Sequence, residues 1–436
     1  GAGVILLEGD IPMARLLPTT KTQVSGHRFL RRRVEHGLIL GDIRMIHDPL
    51  SSRRRAMIFG VVAVVMISGV MGLFAWMRPN PNPGEAAIIR AADGSLFARV
   101  DETVHPVTNL TSARLIVGGP EDPVRAGDEH LATLARGVPV GIGVAPSVFA
   151  PEDAADTYWS ACTVPVPDAK PEVVVRAVDK QAPALAPGSA IVAEVDHRDW
   201  LVTAQGRAQL PPSTSRDGRV VRRVLDIDAS TPRWRPPAEL FVALQEQPAF
   251  ALPDPLPRVL LTGEREWAET SGGVQPITSV QAEILVEAGA QVTEVPAHSV
   301  ADKPDAENPI PIHLPEHRMR LLDPAGEPTG ETKATCVTEA GGAAMLPVPE
   351  AMAGHVRLSG VSPASYFVGL PAGAVAVDTG NGYHVVDQTG MRHGVPDEET
   401  LEIIGAAKVE RVPWRLVKLL PRGEALERTA ALTATY

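Results

Sequence analysis

The apolar positions of this chain change period along its length. Residues 22–42, TQVSGHRFLRRRVEHGLILGD, set Val24, Leu30, Val34 and Leu38 at roughly helical spacing with an arginine-rich opposite face, which predicts an amphipathic helix. Ser25 is the expected N-cap, and Gly37 or Gly41 the expected stop. Residues 56–77, AMIFGVVAVVMISGVMGLFAWM, then give 22 positions without a charge. At about 1.5 Å per residue such a helix covers roughly 33 Å, the thickness of a bilayer's hydrocarbon layer. One membrane crossing is expected, closed off by Pro79, Pro81 and Pro83. Further on, the pattern shortens to strand-length runs: GSAIVAEV (188–195), RVLLTG (258–263) and GAVAVDTG (373–380). These read as buried strands of a separate core, spaced by connectors such as PPSTS, TPRWRPP and NPIPIHLP, and a mixed α/β body follows.

The second signal is repetition. Residues 93–116 compare with residues 263–285: Phe97 and Trp267 each stand nine residues before a proline, Pro106 and Pro276, and VHPVTNLTSARLI aligns with VQPITSVQAEIL without a gap. Two fainter copies are HRDWLVTAQGRAQLP (197–211) and GNGYHVVDQTGMRHGVP (380–396), centred on Trp200 and Tyr383. Each copy predicts strand, Gly/Asp turn and strand, followed by a short helix in the better copies. A unit that small cannot bury its own apolar face and must stack on something. The aromatics lie 103, 67 and 116 residues apart, so the units decorate a core rather than form a regular solenoid.

Composition and charge then orient the molecule. With 436 residues and 44% apolar content the chain exceeds one hydrophobic core. Residues 1–55 carry +5 and the remainder −16. Arg53, Arg54 and Arg55 abut one end of the apolar run and Trp76 the other, so the positive-inside rule places the N-terminus in the cytoplasm and the bulk outside. The run is too long and too far in for a cleaved signal peptide. Ala56 with Gly60, and Ser68 with Gly72, are small residues four apart that allow close helix packing in lipid. Residues 1–18 show no period and begin without Met; they read as an expression remnant or a misplaced start, with Met13 a candidate initiator. The two cysteines, Cys162 and Cys336, fall outside the cytoplasm on this topology and are expected to form one structural bridge. Closing that loop would restrict the unfolded chain by about 5 kcal/mol in the chain-entropy picture.

Candidate chemistry is sparse. The sequence holds no G-x-x-x-x-G-K-[ST] loop, and none of its seven lysines follows a glycine, so the backbone cradle and lysine that hold nucleotide phosphates in P-loop proteins are missing. H-E-x-x-H and G-x-S-x-G are absent as well. Glu152-Asp153 and Glu398-Glu399 read as solvated or helix-start acids, and His105 and His384 as packing or exposed residues without a second ligand at metal spacing. No catalytic, cofactor or metal residue is assigned.

The block TTKTQVSGHRFLRRRVEHGLILGDIRMIHDPLSSRRR, the single span and VHPVTNLTSARLIVG (104–118) resemble the EccB family, membrane components of the mycobacterial ESX, or type VII, secretion system. The likeness continues through Trp159-Ser160-Ala161-Cys162, WLVTAQGRAQLP, GYHVVDQTG and VPWRLVKLLPRGEALERTAAL (412–432), with departures at residues 141–146 and 264–268. The resemblance implies an elongated periplasmic body with a disulfide-stapled β-rich core and four degenerate repeat domains. It also implies partners of the EccC, EccD and EccE type, further copies of the chain itself and the lipid bilayer, with no nucleic acid. ATP hydrolysis has been suggested for the family; here energy coupling is assigned to the EccC-type partner.

The expected organisation is a cytoplasmic segment 1–55, a span 56–77, a linker 78–87, repeat 1 at 88–125, core at 126–188, repeat 2 at 189–230, repeat 3 at 255–292, core at 293–375, repeat 4 at 376–408 and a tail 409–436. A non-enzymatic structural subunit of an inner-membrane secretion complex is the leading reading. A membrane-anchored extracytoplasmic hydrolase of nucleotides or envelope polymers, or a cell-wall-binding module built on the repeats, are the alternatives.

Overall fold

The computed structural model describes residues 20–41, 49–76, 81–263, 265–326 and 330–435; the expectations for residues 1–18 and for Met77 fall outside them. The chain forms two units, Gly1–Asn80 and Pro81–Tyr436.

In the first unit, helix Lys21–Leu40 starts at Thr20 rather than Ser25. The Thr20 hydroxyl accepts from the Gln23 amide while the Gln23 side chain accepts from the Thr20 amide, a reciprocal capping box that satisfies two end donors and outcompetes a start further in. The helix runs through Gly37 and stops at Gly41, whose φ of 66° is the left-handed conformation glycine adopts freely. A second helix, Pro49–Trp76, contains the apolar run and extends seven residues further toward the N-terminus than the uncharged stretch. Within Arg54–Trp76 an 18-residue stretch has a mean hydropathy of 2.5, and none of it is buried.

The second unit holds five sheets among the described residues. The central one orders its strands as Ala343–Pro347, Lys333–Thr338, Tyr158–Val164, Glu172–Val178, Tyr366–Gly369 and Val356–Arg357. Cys162 and Cys336 are directly opposite each other in its adjacent antiparallel strands Tyr158–Val164 and Lys333–Thr338 and are joined by a disulfide.

The other four sheets share one plan. An antiparallel three-strand meander begins with Ile88–Arg90, Ser189–Val195, Arg258–Thr262 or Val375–Asp378. Its second strand is Leu96–Val100, Arg198–Thr203, Arg265–Thr270 or Tyr383–Val386, and its third Thr103–Val107, Gly206–Gln209, Gly273–Ile277 or Arg392–Val395. A helix follows (Leu110–Val117, Arg216–Val224, Ser279–Glu287, Glu398–Ile404), each capped by a side-chain oxygen, from Asn109, Ser215, Thr278 and Asp397. The chain then returns parallel to the first strand through Val124–Arg125, Arg233–Trp234, Val292–Glu294 or Val409–Arg411.

Each plan closes with a part that lies in the expected core (126–188, 293–375), in the expected tail (409–436) or, for the second, in the unassigned stretch 231–254. A short helix (Asp128–Thr133, Ala238–Phe241, Ala297–Ala301, Trp414–Val417) leads to a bridge parallel to the third strand, at Arg136, Glu246, Asp305 and Arg422. The closing segment lies so near the third strand that a Cβ on Gly206 would meet Gln245 O at 2.0 Å and one on Gly273 would meet Pro304 O at 2.3 Å. Those two glycines, at φ of 131° and 140°, let the backbones approach.

The runs 188–195, 258–263 and 373–380 are therefore first strands of peripheral sheets, not strands of the central one. They looked like core because both faces are buried, which replaces an alternating pattern by a continuous apolar one. Ile191 and Ala193 face the central sheet with Trp159, Val175 and Phe367, while Ala190 and Val192 face the third peripheral sheet. Val375 and Val377 likewise face the central sheet, and Ala376 faces the first peripheral sheet. The peripheral sheets thus pair as second with third and first with fourth, and the second and fourth carry each pair onto the centre. The other face of the central sheet, which holds the disulfide and Leu346, is covered by Ala182 and Ala351.

The C-terminus locks the first–fourth pair. Helix Arg428–Ala431 packs on Leu110–Val117, Arg428 Nε donates to Ile116 O at 3.2 Å, and Gly141 N donates to Thr433 O at 3.1 Å. Leu426, fully buried among Ile88, Ile116 and Val395, is the apolar anchor of that tail. Leu426→Ala is expected to lower the stability of the body by about 3 kcal/mol through lost burial and the cavity left behind, measured by denaturant unfolding of the purified chain.

In the fourth sheet His384 lies 5.0 Å from the Trp414 ring. Burial holds its pKa below 6.5, the nearby Arg392 and Arg422 lower it further, and a backbone hydrogen bond with Gly382 opposes them. The unfolded chain then takes up the proton first, so stability is full above the ordinary histidine range and falls as the pH drops through it. His384→Gln should flatten that loss between about pH 7 and 5, read from thermal unfolding across pH; an unchanged slope would contradict the assignment.

Candidate functional site

The candidate features are the anchor helix and the repeated face of the four peripheral sheets. In the anchor, Arg54 and Arg55 are exposed on helix Pro49–Trp76 and Trp76 ends it. Arg53 lies in the same helix, and its side chain is outside the described residues.

Three of the four sequence-selected aromatics occupy one structural position. Phe97, Trp200 and Trp267 each stand on the second strand, three residues before the turn, opposite Ile89, Ala193 and Leu260 of the first strand. On the third strand they face Pro106, Gln209 and Pro276. All three point to the face covered by the short helix, where Phe97 packs with Leu131, Trp200 with Phe241 and Trp267 with Val300. Tyr383 does not belong to this set. It pairs with Asp378 and Val395 and packs on the opposite face, against the first–fourth core. The residue at the shared position is His384, opposite Val377, and it packs on the short-helix residue Trp414 with its ring tilted by 31°, where Trp200 meets Phe241 edge-on at 71°. A one-residue offset in a strand moves a side chain to the other face, and the faint fourth copy offered Tyr383 and His384 side by side.

Arginines complete the face in three sheets. Arg207 lies over both Trp200 (5.0 Å) and Phe241 (4.4 Å) and pairs with Glu246 of the closing segment at 2.9 Å. Arg136 lies over Phe97 at 5.7 Å and Arg392 over Trp414 at 5.0 Å. These cation–π contacts tie the closing segment or third strand to the aromatic. The closing part was legible in one signal: a proline opens the short helix at Pro237, Pro296 and Pro413.

An apolar cavity of about 440 Å³ lies between the central and fourth sheets, lined by Ala177, Val178, Val368 and Leu370 among others. Lys408 at its edge donates to Asp156 Oδ1 (2.9 Å) and Glu410 Oε1 (3.2 Å), and Glu410 also accepts from Thr157. Burial disfavours the Lys408 ammonium, but Asp156 and Glu410 more than offset this and its pKa is raised. The lysine is thus a charged, satisfied group with no lone pair for base or nucleophile chemistry near neutral pH. Glu398 and Glu399 occupy the first turn of their helix, and His105 contacts Val138 O through Nδ1 at 3.0 Å. No group of three or more His, Cys, Asp or Glu at metal-holding distance occurs among the described residues.

Comparison with known proteins bears on the whole chain. The family described as Type VII secretion system ESX-1, transport TM domain B, matches residues 16–257 and 257–435. The ESX-3 secretion system ATPase EccB3 of Mycolicibacterium smegmatis is 30% identical over 95% of this chain and 90% of its own length. The ESX-1 secretion system ATPase EccB1 of Mycobacterium tuberculosis is 28% identical over 95% and 94%. A chain of an intact ESX-5 inner membrane complex superposes with a TM-score of 0.65 at 25% identity over 97% of each chain. The EccB3 dimer from an ESX-3 core complex shares the fold with a TM-score of 0.64 at 24% identity, covering 80% of this chain and all of that one. With the anchor, the paired sheets and the stapled centre in place, the chain belongs to the EccB family of type VII secretion proteins.

Proposed function

We propose that this chain is a structural membrane subunit of a type VII (ESX) secretion complex, anchored by helix Pro49–Trp76 with its basic segment in the cytoplasm and its sheets in the periplasm. The observation that carries the reading is the match to the family over residues 16–257 and 257–435. It is joined to a likeness, over 97% of both lengths, to a component of an intact inner-membrane complex. The orientation rests on Arg54 and Arg55 at one end of the apolar helix and Trp76 at the other.

On this reading the four peripheral sheets are repeat domains of about 88–140, 189–247, 258–306 and 375–426, which their shared plan supports. What remains, chiefly 158–178 and 333–369, is the core. Further copies of the chain and EccC-, EccD- and EccE-type components are the partners, met through the amphipathic helix Lys21–Leu40, the span and the outer faces of the repeats. The small residues Ala56, Gly60, Ser68 and Gly72 are the close-packing positions within the membrane.

The curated relatives carry the word ATPase in their names, the one observation that favours an enzyme. In this chain Trp200, Phe241, Arg207 and Glu246 on the short-helix face of the second sheet are engaged in packing and pairing, and no lysine follows a glycine. Energy coupling is therefore assigned to an EccC-type partner.

Protease added to spheroplasts should digest the body, residues 81–436, and spare an N-terminal epitope; the reverse pattern would overturn the topology. Deleting residues 20–48 should leave the chain in the membrane fraction but cut copurification of the other ESX membrane components at least tenfold, whereas unchanged complex recovery would remove the docking role of that helix.

A further inference from the structure

A polar cavity of about 520 Å³ opens at one end of the second peripheral sheet. Its walls are the turn between the first two strands, the connector ahead of helix Arg216–Val224, and the return strand. The turn is Asp196-His197, both in the left-handed region at φ of 51° and 59°, so the ladder resumes at once and presents Arg198 and Asp199 to the cavity. Four guanidiniums line it, of Arg198, Arg222, Arg233 and Arg235, against the two carboxylates of Asp199 and Glu194. That excess of two positive charges sits in a stretch, residues 56–436, whose net charge is −16.

Half of this excess lies at the floor, and the other half is Arg198 at the mouth. Asp199 pairs with Arg222 (Oδ2 to Nη2, 2.9 Å) and with Arg233 (Oδ1 to Nε, 3.4 Å). The three side chains are only 10% (Arg222), 15% (Asp199) and 18% (Arg233) exposed. Two guanidiniums thus share one carboxylate where water screens poorly, leaving a positive charge uncompensated. Their other partners are neutral carbonyls, Pro211 and Gly218 for Arg222 and Asp228 and Thr231 for Arg233, which orient the cations without neutralising them. At the mouth Arg235 is paired with Glu194 at 2.6 Å. The exposed Arg198 side chain has no hydrogen bond or ion pair among the described residues. Ser213 and Thr214 add hydroxyls on the facing wall.

We propose that this cavity binds a phosphate group, seated on the Arg222–Asp199–Arg233 floor and closed over by Arg198. The choice of phosphate over carboxylate follows from charge and geometry. A phosphate monoester carries close to two negative charges at neutral pH, matching the excess of two, and its oxygens accept from several guanidinium forks at once. The inference is independent of the assembly role and involves binding only. Inorganic phosphate and the phosphates of a nucleotide present the same chemistry here.

The test is calorimetric titration of the purified full chain in detergent, at low salt, with inorganic phosphate, with ATP, and with sodium chloride at matched ionic strength. Saturable binding of one phosphate per chain is expected, weakening as salt rises. Arg198→Gln should reduce that affinity at least tenfold without moving the thermal midpoint, because Arg198 supports no other contact. ATP that displaces phosphate identifies a nucleotide as the source, and ATP that fails to displace it identifies free phosphate. Absence of saturable heat with both ligands, or equal affinity in Arg198→Gln, overturns the proposal.

Discussion

The constraint on which this architecture rests is that a small sheet with one flanking helix has two apolar faces and covers only one of them itself. In the first and third peripheral sheets the short helix covers the second face, with Leu131 over Phe97 and Val300 over Leu260 and Trp267. In the second and fourth, the same short helix is folded into the contact with the central sheet, so Phe241 and Leu416 join Trp159, Val175 and Phe367 in one core. One plan thus serves as an end cap in two places and as a bridge in two others. Which role a copy takes is decided by what lies beneath its aromatic face.

This division explains what the sequence showed and what it hid. The long apolar helix was legible because 22 consecutive residues carry no charge, and the better copies of the repeated plan because Phe97 and Trp267 share a gapless downstream string. The two-faced burial of Ile191 with Val192, and of Val375 with Ala376, erased the alternation that marks a half-buried strand. Those runs consequently looked central. The closing segments were hidden for another reason: their link to the third strand is a backbone ladder of one or two residues, which imposes no side-chain pattern. Thr20 was missed as a cap because the apolar period begins four residues later, at Val24, and local hydrogen bonding rather than period fixed the start.

Charge follows the same logic of position over total. The body is strongly acidic as a whole, yet its arginines are placed where they act as packing groups, as Arg207 between Trp200 and Phe241, or as spacers between elements. Arg114 donates to Ile404 O at 2.9 Å and to Glu121 O at 3.2 Å, joining the first sheet's helix to the fourth sheet's. A planar guanidinium suits both tasks, since it stacks on a ring and still directs donors at carbonyls in its plane. A lysine, with a compact and strongly hydrated charge, does neither well, which accords with 34 arginines against seven lysines in the chain.

The order of elements along the chain gives the two halves of the body different kinds of closure. The central strands and the second and third sheets lie between residues 158 and 369, and the Cys162–Cys336 bond encloses the second and third sheets within its loop of 174 residues. That inner half is held by a covalent link across two adjacent strands. The outer half, the first and fourth sheets, brings together residues separated by the entire inner half, and no covalent link spans them. Its closure rests on noncovalent packing of the last residues, from Leu426 through Ala431 to Thr433, against the helix Leu110–Val117 and the loop at Gly141. Ordering so distant a pair of segments costs loop-closure entropy that grows only logarithmically with length, so a buried leucine, one shared helix face and a few backbone hydrogen bonds are enough to hold it.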